Sequence, residues 1–273
     1  MTTGIASRLK NELWSRYSIV PKDQWLNDFL FTITNTSQPL PALTSTAQFR
    51  LLQTDFTSTL SVERRQLFPN EITDVNRKVV LLHADTPVQV LDIQDVGISK
   101  YAQIEAIERV ERGEEIRGRE IVRRVPGVMD DDEEDDGTPS TITHDHQNAS
   151  SRKGSSGPHR LLLQDAAGTK CWAFELSRIE RITIVNQDPP LTTNDGVASQ
   201  RTIEGMQVGA KMILRRGTQV KRGLIMLTPT DTNMLGGKVE IWDFKWREKR
   251  KHRLQAELNR ESDRPRNDPE QAG

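Results

Sequence analysis

The stretch GMQVGAKMILRRGTQVKRGLIMLTPTDTNMLGGKVEIW, residues 205–242, decides the fold of this chain. Three of its short segments, residues 210–214, 223–227 and 235–240, have the composition of β-strands. Arg215-Arg216-Gly217 supplies a turn between the first two. Strands this short, with turns this close together, are typical of a small barrel or sandwich. We therefore predict that residues 205–242 close a small β-barrel.

Further strand patterns lie upstream of this stretch. They occur at residues 79–82, 88–93, 160–164, 170–176 and 179–185. The segment Asp165-Ala166-Ala167-Gly168 between two of them is typical of a hairpin turn. About five short strands in a small barrel match the OB architecture, which carries binding function on its face and loops. We predict a five-stranded OB-fold over residues 77–242.

A long polar segment interrupts this barrel. Tyr101, Ile104 and Ile107 recur at helical spacing, which indicates a short helix near its start. Beyond Gly113 the segment is charged, then rich in serine and threonine, and it includes an acidic run at residues 130–136. Such a composition buries too little apolar surface to offset the entropy of ordering. We predict a mostly disordered insertion over residues 98–159, between the first two barrel strands, with disorder at least over 126–158.

Three amphipathic helices are predicted before the barrel, in a unit over residues 3–65. Their apolar stripes are Ile5-Leu9-Leu13-Trp14-Tyr17, Trp25-Leu26-Phe29-Leu30-Ile33 and Phe49-Leu52-Phe56-Leu60. Ser45 and Gln48 fit a capping box for the third helix, so residues 35–46 are expected to form a loop. A charged helix and tail follow the barrel over residues 243–273. The predicted fold class is α+β.

Composition limits the classes of partner. The 273 residues include 38 basic and 39 acidic side chains, for a net charge of -1, so nucleic acid or membrane is not attracted globally. Any polyanion would have to bind a local basic region. Cys171 is the single cysteine, and no apolar run is long enough to span a bilayer. The start of the chain lacks a signal-peptide layout, so we expect the cytosol or nucleus.

No pattern in the sequence predicts catalysis or a cofactor. Gly205 and Gly209 are not followed by the Gly-Lys-Ser/Thr of a phosphate loop, and the five histidines lack zinc-site spacing. His144-Asp145-His146 could bind a metal weakly and residues 130–136 could chelate cations, but a solvated acidic linker is the simpler interpretation. We predict a protein that is not an enzyme and that uses no metal or cofactor.

Binding chemistry is better represented. The candidate nucleic-acid contacts are Arg215, Arg216, Lys221, Arg222, Lys245 and Arg247. The first four flank a turn between predicted strands, where OB loops line an oligonucleotide groove, although a solvated hairpin tip is the alternative. The last two open a basic helical stretch that could contact phosphates or form an exposed charged face.

Trp172 and Phe174 alternate with smaller residues, so both rings lie on the same side of their strand. On the outside of the barrel they could stack on bases. We expect them inside, because large apolar rings are usually buried.

In their order along the chain, these segments resemble the RecQ-mediated genome instability (Rmi) family, over residues 5–242. The resemblance rests on Leu13-Trp14, Val20-Pro21-Lys22, Trp25-Leu26, Pro87-Val88-Gln89-Val90-Leu91-Asp92-Ile93, Tyr101-Ala102-Gln103-Ile104, Leu161-Leu162-Leu163-Gln164-Asp165, Gly209-Ala210-Lys211, Arg222-Gly223-Leu224-Ile225-Met226-Leu227 and residues 233–240. Within the last of these, Leu235-Gly236-Gly237-Lys238-Val239-Glu240 is the most specific. The chain is similar to the short, fungal type of member, which lacks the second OB domain of the animal proteins.

The resemblance implies a role in DNA recombination, repair and replication. Members of the family dock on type IA topoisomerase III and work with a RecQ-family helicase in the nucleus. Their insertion reaches into the topoisomerase gate, so Tyr101, Ile104 and Ile107 would anchor it there. The expected function is that of a non-catalytic subunit that promotes dissolution of double Holliday junctions and limits crossover. Contact with single-stranded or junction DNA would be weak or made through the complex.

The alternative is a free-standing OB protein that binds single-stranded DNA. It would require stacking aromatic side chains on the barrel face.

Overall fold

A computed structural model describes residues 2–33, 39–112, 155, 157–185 and 205–262. The helices within these ranges are α1 (Thr2–Tyr17), α2 (Asp23–Thr32), α3 (Leu40–Leu52), α4 (Phe56–Thr59), α5 (Lys100–Glu111) and α6 (Glu240–Ser262), with a 3-10 turn at Arg64–Gln66. The strands are β1 (Val80–Leu81), β2 (Thr86–Asp95), β3 (His159–Asp165), β4 (Lys170–Glu175), β5 (Lys211–Leu214), β6 (Gln219–Lys221), β7 (Leu224–Leu227) and β8 (Thr232–Gly236).

All eight strands belong to one curled sheet, in the order β1-β6-β7-β4-β3-β2-β5-β8. Strands β2, β3 and β4 form an antiparallel meander, β2 also pairs antiparallel with β5, and β4 pairs parallel with β7. These five strands are the OB-like barrel, to which the short strands β1, β6 and β8 are added. The predicted α+β class, with helices before and after an OB-like barrel, is confirmed.

Alternation along the strands fills the interior of the barrel. In β3, Leu161 and Leu163 are buried in the main core cluster, while Arg160 and Leu162 lie on the opposite face. Each aliphatic side chain buried in this way stabilises the fold by roughly 1.5–3 kcal/mol.

The expected placement of Trp172 and Phe174 inside the barrel is wrong. Cys171 and Ala173 of β4 join the core, and the two rings are half-buried on the outer face. The register pairs Cys171 with Leu163, so the leucines of β3 determine which side of β4 is internal. A barrel of this size has room for small side chains opposite those leucines.

The helical unit has its own core, to which the apolar stripes contribute Leu9, Leu13, Leu26, Phe29 and Phe56. Two predicted details of it are wrong. The side chain of Trp14 is 49% exposed and that of Phe49 is 63% exposed. The helix that contains Phe49 also begins earlier than expected.

Helix α3 begins at Leu40, after Pro39 in an extended conformation, so residues 39–46 are not a loop. Pro41 fits the first turn, where the N–H that proline lacks would have no helical partner. Ser45 is an interior residue whose Oγ donates to the carbonyl of Pro41 at 3.1 Å, which rules out the predicted capping box. The buried face of α3 consists of Leu43, Thr44, Ala47, Leu51 and Leu52, and Phe49 lies on the opposite face.

A polar network joins the helical unit to the outer face of β2. Gln89 accepts from the backbone N–H of Phe56 at 2.9 Å. Its amide nitrogen donates to Asp55 at 2.7 Å and to Gln164 of β3 at 3.0 Å. Gln89 is fully buried, so these bonds replace the water that its amide group loses.

Lys211 of β5 is buried in the same interface, with a side chain 0% exposed. Its Nζ donates to the carbonyl of Gly209 at 2.6 Å and lies 4.9 Å from the centroid of the Phe56 ring. Burial lowers the pKa of Lys211 to about 7, although the charge of Asp55 acts in the opposite direction. The interface between the helical unit and the barrel therefore contains a lysine whose charged form is destabilised by burial.

The short helix predicted near the start of the insertion is present, and the prediction of disorder up to residue 158 is wrong at the returning end. Residues 100–111 form α5, and residues 157–159 are ordered against the barrel. The rest of the segment, with the acidic run 130–136, lies outside the described residues. No helix of the described ranges is long and apolar enough to cross a membrane.

Lys211→Met should change how stability depends on pH. In the wild type the unfolded chain keeps the lysine proton up to about pH 10.5 and the folded chain only up to about 7, so the free energy of unfolding should rise with pH between these values. The variant lacks this rise. Its stability advantage should therefore be greatest near pH 7 and should shrink by several kcal/mol towards pH 10.5, at about 1.4 kcal/mol per pKa unit.

Urea denaturation across this pH range measures the difference. Lys249→Met, at an exposed lysine, is the matched control and should follow the wild type. A constant offset between Lys211→Met and wild type at every pH would contradict the prediction.

Candidate site at the root of the insertion

The insertion leaves and re-enters the barrel through two limbs that touch each other. The backbone N–H of Val96 donates to the carbonyl of Pro158 at 3.0 Å. A Cβ atom added to Gly97 would lie 2.2 Å from the carbonyl oxygen of Gly157. The two glycines therefore allow a backbone approach that any larger residue at Gly97 would prevent.

The outgoing limb turns directly into α5. Asp95, at the end of β2, accepts from the N–H groups of Gly97 at 2.8 Å and Ile98 at 3.2 Å. Ser99 caps the helix by accepting from the N–H of Ala102 at 3.2 Å. These bonds fix the direction in which α5 leaves the barrel.

A buried hydrogen-bond chain holds the returning limb. Nδ1 of His159 lies 2.6 Å from Glu175, and Nε2 lies 2.5 Å from the hydroxyl of Ser155. Burial by itself would raise the pKa of Glu175, but hydrogen bonds from His159 and the N–H of Ile179 outweigh it and hold that pKa below its usual value. This chain was not evident in the sequence, because residues 155, 159 and 175 have no diagnostic spacing.

The hydrogen bonds join Ser155, His159 and Glu175 in the same way as the residues of a hydrolase triad, but their surroundings indicate a structural role. The His159 side chain is fully buried, and the Ser155 hydroxyl also accepts from the N–H of Ile184 at 2.9 Å. The carbonyl of Ser155 accepts from Thr183 at 3.0 Å. The donors and acceptors of the limb are thus used to hold it against residues 182–185.

Two clusters of ion pairs bind α5 antiparallel to α6. At one end Lys100 contacts Glu257, at 3.3 Å, and Glu261. At the other end Lys251 lies 3.2 Å from Glu108 and 2.6 Å from Glu111. The bond to Glu261 raises the pKa of Lys100, and the bond to Glu111 raises that of Lys251. Each exposed pair alone contributes little, so the specific pairing of the ends is their main effect.

Helix α6 is in turn fixed to β2 through Asp92. The indole N–H of Trp246 donates to Asp92 at 2.6 Å, and Arg253 donates to the same oxygen at 3.0 Å. Arg250 is buried nearby and donates to Gln103 of α5 at 3.3 Å. Burial lowers the pKa of Arg250 to about 10. One helix thus contacts both the barrel and the root of the insertion.

Most basic residues of α6 have these structural partners. The residues with a described ionic or hydrogen-bond partner are Arg247, Arg250, Lys251 and Arg253. Lys245 and Lys249 are exposed and have no ion-pair partner in the described part of the chain. The partners of Arg250 and Lys251 lie on α5, that of Arg253 lies on β2 and that of Arg247 lies on α6 itself, so these four basic residues serve to hold elements of the chain together.

A cavity of about 420 Å³ lies between α5, α6 and the end of β2. Its lining combines apolar side chains with the ion-paired Lys100, and Tyr101 lies at its edge. The side chain of Tyr101 is 68% exposed. In the described ranges no three His, Cys, Asp or Glu side chains are grouped to hold a metal ion.

Comparison with known proteins relates this arrangement to a family. A model of the RMI1 N-terminal OB-fold domain matches residues 68–190 and 198–250, and a model of the RMI1 N-terminal helical domain matches residues 13–59. The chain belongs to the RMI1 family. It is 27% identical over 161 residues to RecQ-mediated genome instability protein 1 of Schizosaccharomyces pombe, an alignment that covers 57% of this chain and 57% of that relative. The resemblance stated from the sequence is confirmed.

In this RMI1 family member, the three predicted insertion anchors differ in accessibility. Tyr101 is exposed, Ile107 is half-buried, and Ile104 is buried among the residues of α5 and its neighbours. Ile104 is therefore not available to a partner while α5 is packed on α6. The helical spacing of Ile104 is explained by packing within the chain.

The predicted nucleic-acid residues fall into three places. Arg215 and Arg216 lie in the turn before β6, and Lys221 and Arg222 lie in or beside the turn after it. All four are exposed. Lys245 and Arg247 are on α6, where Arg247 pairs with Asp243 at 2.8 Å. The six residues are thus carried by three different parts of the structure.

Gly97→Ala should destabilise the root of the insertion. The added methyl group would overlap the Gly157 carbonyl, so the limbs must separate, at a cost of about 1–3 kcal/mol in the free energy of unfolding. The exchange of the Val96 amide hydrogen should also become faster. Urea denaturation and hydrogen exchange measure the two effects.

Gly4→Ala is the control, because the Cβ atom there meets no other atom within 4 Å. It should leave stability unchanged or raise it by roughly 0.5–1 kcal/mol, since alanine favours helix α1. Equal stabilities for the two variants would contradict the close approach of the limbs.

Proposed function

We propose that this chain is a non-catalytic subunit of a complex between type IA topoisomerase III and a RecQ-family helicase. In that complex it promotes dissolution of double Holliday junctions and so limits crossover during recombination and repair. Membership of the RMI1 family supports a role in genome stability linked to RecQ, as the name of the S. pombe relative indicates. The proposed location is the nucleus.

The root of the insertion carries this proposal. Asp95, Ser99, the Lys100 and Lys251 ion pairs, and the Ser155–His159–Glu175 chain fix where the insertion starts and ends. These contacts hold both limbs in place, which supports the proposal that the insertion is presented to a partner in a fixed direction. Binding to a partner loses less conformational entropy when the base of the binding segment is already ordered.

The chemistry of strand cleavage and of unwinding would belong to the partners. Within the described residues, the buried Ser155–His159–Glu175 chain is the nearest approach to a catalytic arrangement, and each of its groups has a structural partner. We propose that the barrel and helical unit dock on the topoisomerase. The insertion, with exposed Tyr101 at its root, would act on the gate.

A free-standing protein that binds single-stranded DNA is the second candidate. It is favoured by the outward rings of Trp172 and Phe174, which supply the stacking side chains that the sequence did not place on the surface. The two candidates differ in their requirement for topoisomerase III. The adaptor would change the activity of the topoisomerase, and the free-standing protein would act without it.

Replacing residues 113–154 with a short linker should separate docking from regulation. Helix α5 has 12 residues and is about 18 Å long, so a Gly/Ser linker of roughly ten residues can return to Ser155 without distorting the root. The shortened chain should still co-purify with topoisomerase III. Its stimulation of decatenation should fall to the level of topoisomerase alone.

The matched control carries residues 113–154 in scrambled order, which preserves length and charge. It should bind as well as the wild type and should stimulate decatenation less. If the full chain does not associate with topoisomerase III, the proposed function is wrong. If the shortened chain stimulates decatenation fully, the insertion is not the regulatory segment.

A further inference from the structure

A groove lies between α6 and the irregular part of β2 and is called here the α6 groove. It has a volume of about 290 Å³, and its lining residues are Leu91, Val208, Trp242, Lys245, Trp246, Lys249 and Arg253. The residues from α6 lie three, four, seven and eleven positions after Trp242, so they share one face of the helix. Leu91 is the extra residue at which the pairing of β2 with β3 shifts.

The floor of the α6 groove is apolar and only partly covered. Trp246 is buried in the barrel core, and Trp242 packs against that core while its side chain stays half-buried. Leu91 is half-buried as well. Apolar surface that stays open to solvent beside the core favours contact with an apolar side chain of a ligand.

The rim of the groove carries positive charge that is not compensated within the described part of the chain. Lys245 and Lys249 are exposed there and have no described ion-pair partner. Arg253 is already bound to Asp92 at 3.0 Å, and no carboxylate belongs to the described lining. A complementary ligand therefore combines an apolar side chain with at least two neighbouring carboxylates.

The sequence of the insertion contains a segment of this kind. Val128 and Met129 directly precede the acidic run 130–136, all seven residues of which are Asp or Glu. Lys245 and Lys249 are four residues apart on a helix, a rise of about 6 Å. Carboxylates two residues apart in an extended segment are about 6.6 Å apart, so two of them can meet both lysines.

The outgoing end of the insertion lies beside the groove. Glu111, at the end of α5, binds Lys251 at 2.6 Å, and Lys251 is two residues from Lys249. The insertion therefore starts at the same level of α6 as the lysines on the rim, across a helix about 10–12 Å in diameter.

The returning end lies beside the other wall of the groove. The carbonyl of Ser155 accepts from the Thr183 hydroxyl at 3.0 Å, and the carbonyl of Thr183 accepts from the N–H of Met206 at 2.7 Å. Met206 is two residues before Val208, which lines the groove. Both ends of the insertion are thus held near the same surface.

The length of the insertion allows the acidic run to reach this surface. Residues 113–129 separate the run from α5, and residues 137–154 separate it from Ser155. A flexible chain of 17 residues has a root-mean-square end-to-end distance of roughly 20–25 Å, about twice the diameter of a helix. Attachment at both ends gives the run an effective concentration on the order of millimolar at the groove.

We propose that residues 128–136 dock on the α6 groove of the same chain. Val128 and Met129 contact the apolar floor, and carboxylates of the acidic run bind Lys245 and Lys249. The contact holds the middle of the insertion against the barrel that carries it and weakens as salt rises. A partner that takes up the insertion has to displace this contact, so the acidic run regulates when the insertion is available.

Lysine acylation of the full chain by an N-hydroxysuccinimide ester, read by mass spectrometry, tests the contact. Replacing every carboxylate of residues 130–136 by its amide should speed the reaction of Lys245 and Lys249 at least about twofold at low salt, because two exposed ion pairs are lost. Lys170 and Lys221, exposed lysines of the barrel, are the internal reference and should react alike in both chains. Near 1 M salt, where the Debye length is about 3 Å, the wild type and the variant should not differ.

Carbodiimide coupling identifies the contact directly, because it joins a carboxylate to a lysine that it touches. The coupled peptides should link residues 130–136 with Lys245 or Lys249 within a single chain. Val128→Ser/Met129→Ser keeps every charge and should reduce this coupling, since it removes the apolar part of the contact.

Equal acylation rates in the wild type and the amide variant at low salt would overturn the proposal. Coupling of the acidic run to Lys170 and Lys221 as often as to the groove would do the same, as would coupling found only between two copies of the chain. Neither measurement contains topoisomerase III, so failure here leaves the proposed function untouched, and a failed pull-down leaves this contact untouched.

Discussion

A single carboxylate oxygen of Asp92 accepts from both the indole of Trp246 and the guanidinium of Arg253, and the position of α6 depends on it. The strand that carries it is irregular at this point, since the pairing of β2 with β3 shifts between Val90 and Asp92. The extra residue lets Val90 remain in the core while Asp92 faces out. Because α6 also holds α5, this irregularity in β2 contributes to the position of the insertion.

The charged composition of α6 has a different meaning in the structure than in the sequence. Four of its basic residues have partners that fix α5, β2 or the helix itself, so little of the positive charge is available to a ligand. Lys245 and Lys249 are the lysines of α6 that are exposed without an ion-pair partner among the described residues. The basic composition of α6 therefore overstates the positive charge that this helix offers to a ligand.

The sequence predicted those features that depend on periodicity. The stripes containing Leu9, Leu13, Leu26 and Phe29 are buried, and the strand patterns yield the OB-like barrel, because a repeated spacing requires one apolar face. The start of α3 was not predicted because a helix could begin either after Pro39 or with a capping box at Ser45. Packing of the helix favours the start after Pro39.

The candidate site depends more strongly on contacts between distant residues. Both sides of β4 are apolar, with Cys171 and Ala173 on one and Trp172 and Phe174 on the other, so alternation alone could not tell which faces inward. Lys100 meets Glu261, and His159 meets Glu175, only after the barrel has closed. No local pattern encodes such pairs, which explains why Ile104 appeared to be a free anchor.

The buried network around Gln89 and Lys211 determines how the helical unit is placed on the barrel. Two apolar surfaces pressed together could shift relative to each other at small cost, but a buried amide that must satisfy Phe56, Asp55 and Gln164 permits one arrangement. Lys211 adds to the cost of this interface and, with its ammonium bonded to Gly209, to its specificity. The helical unit is thereby held in a fixed position on one part of the barrel. The root of the insertion lies outside this interface, with Tyr101 exposed.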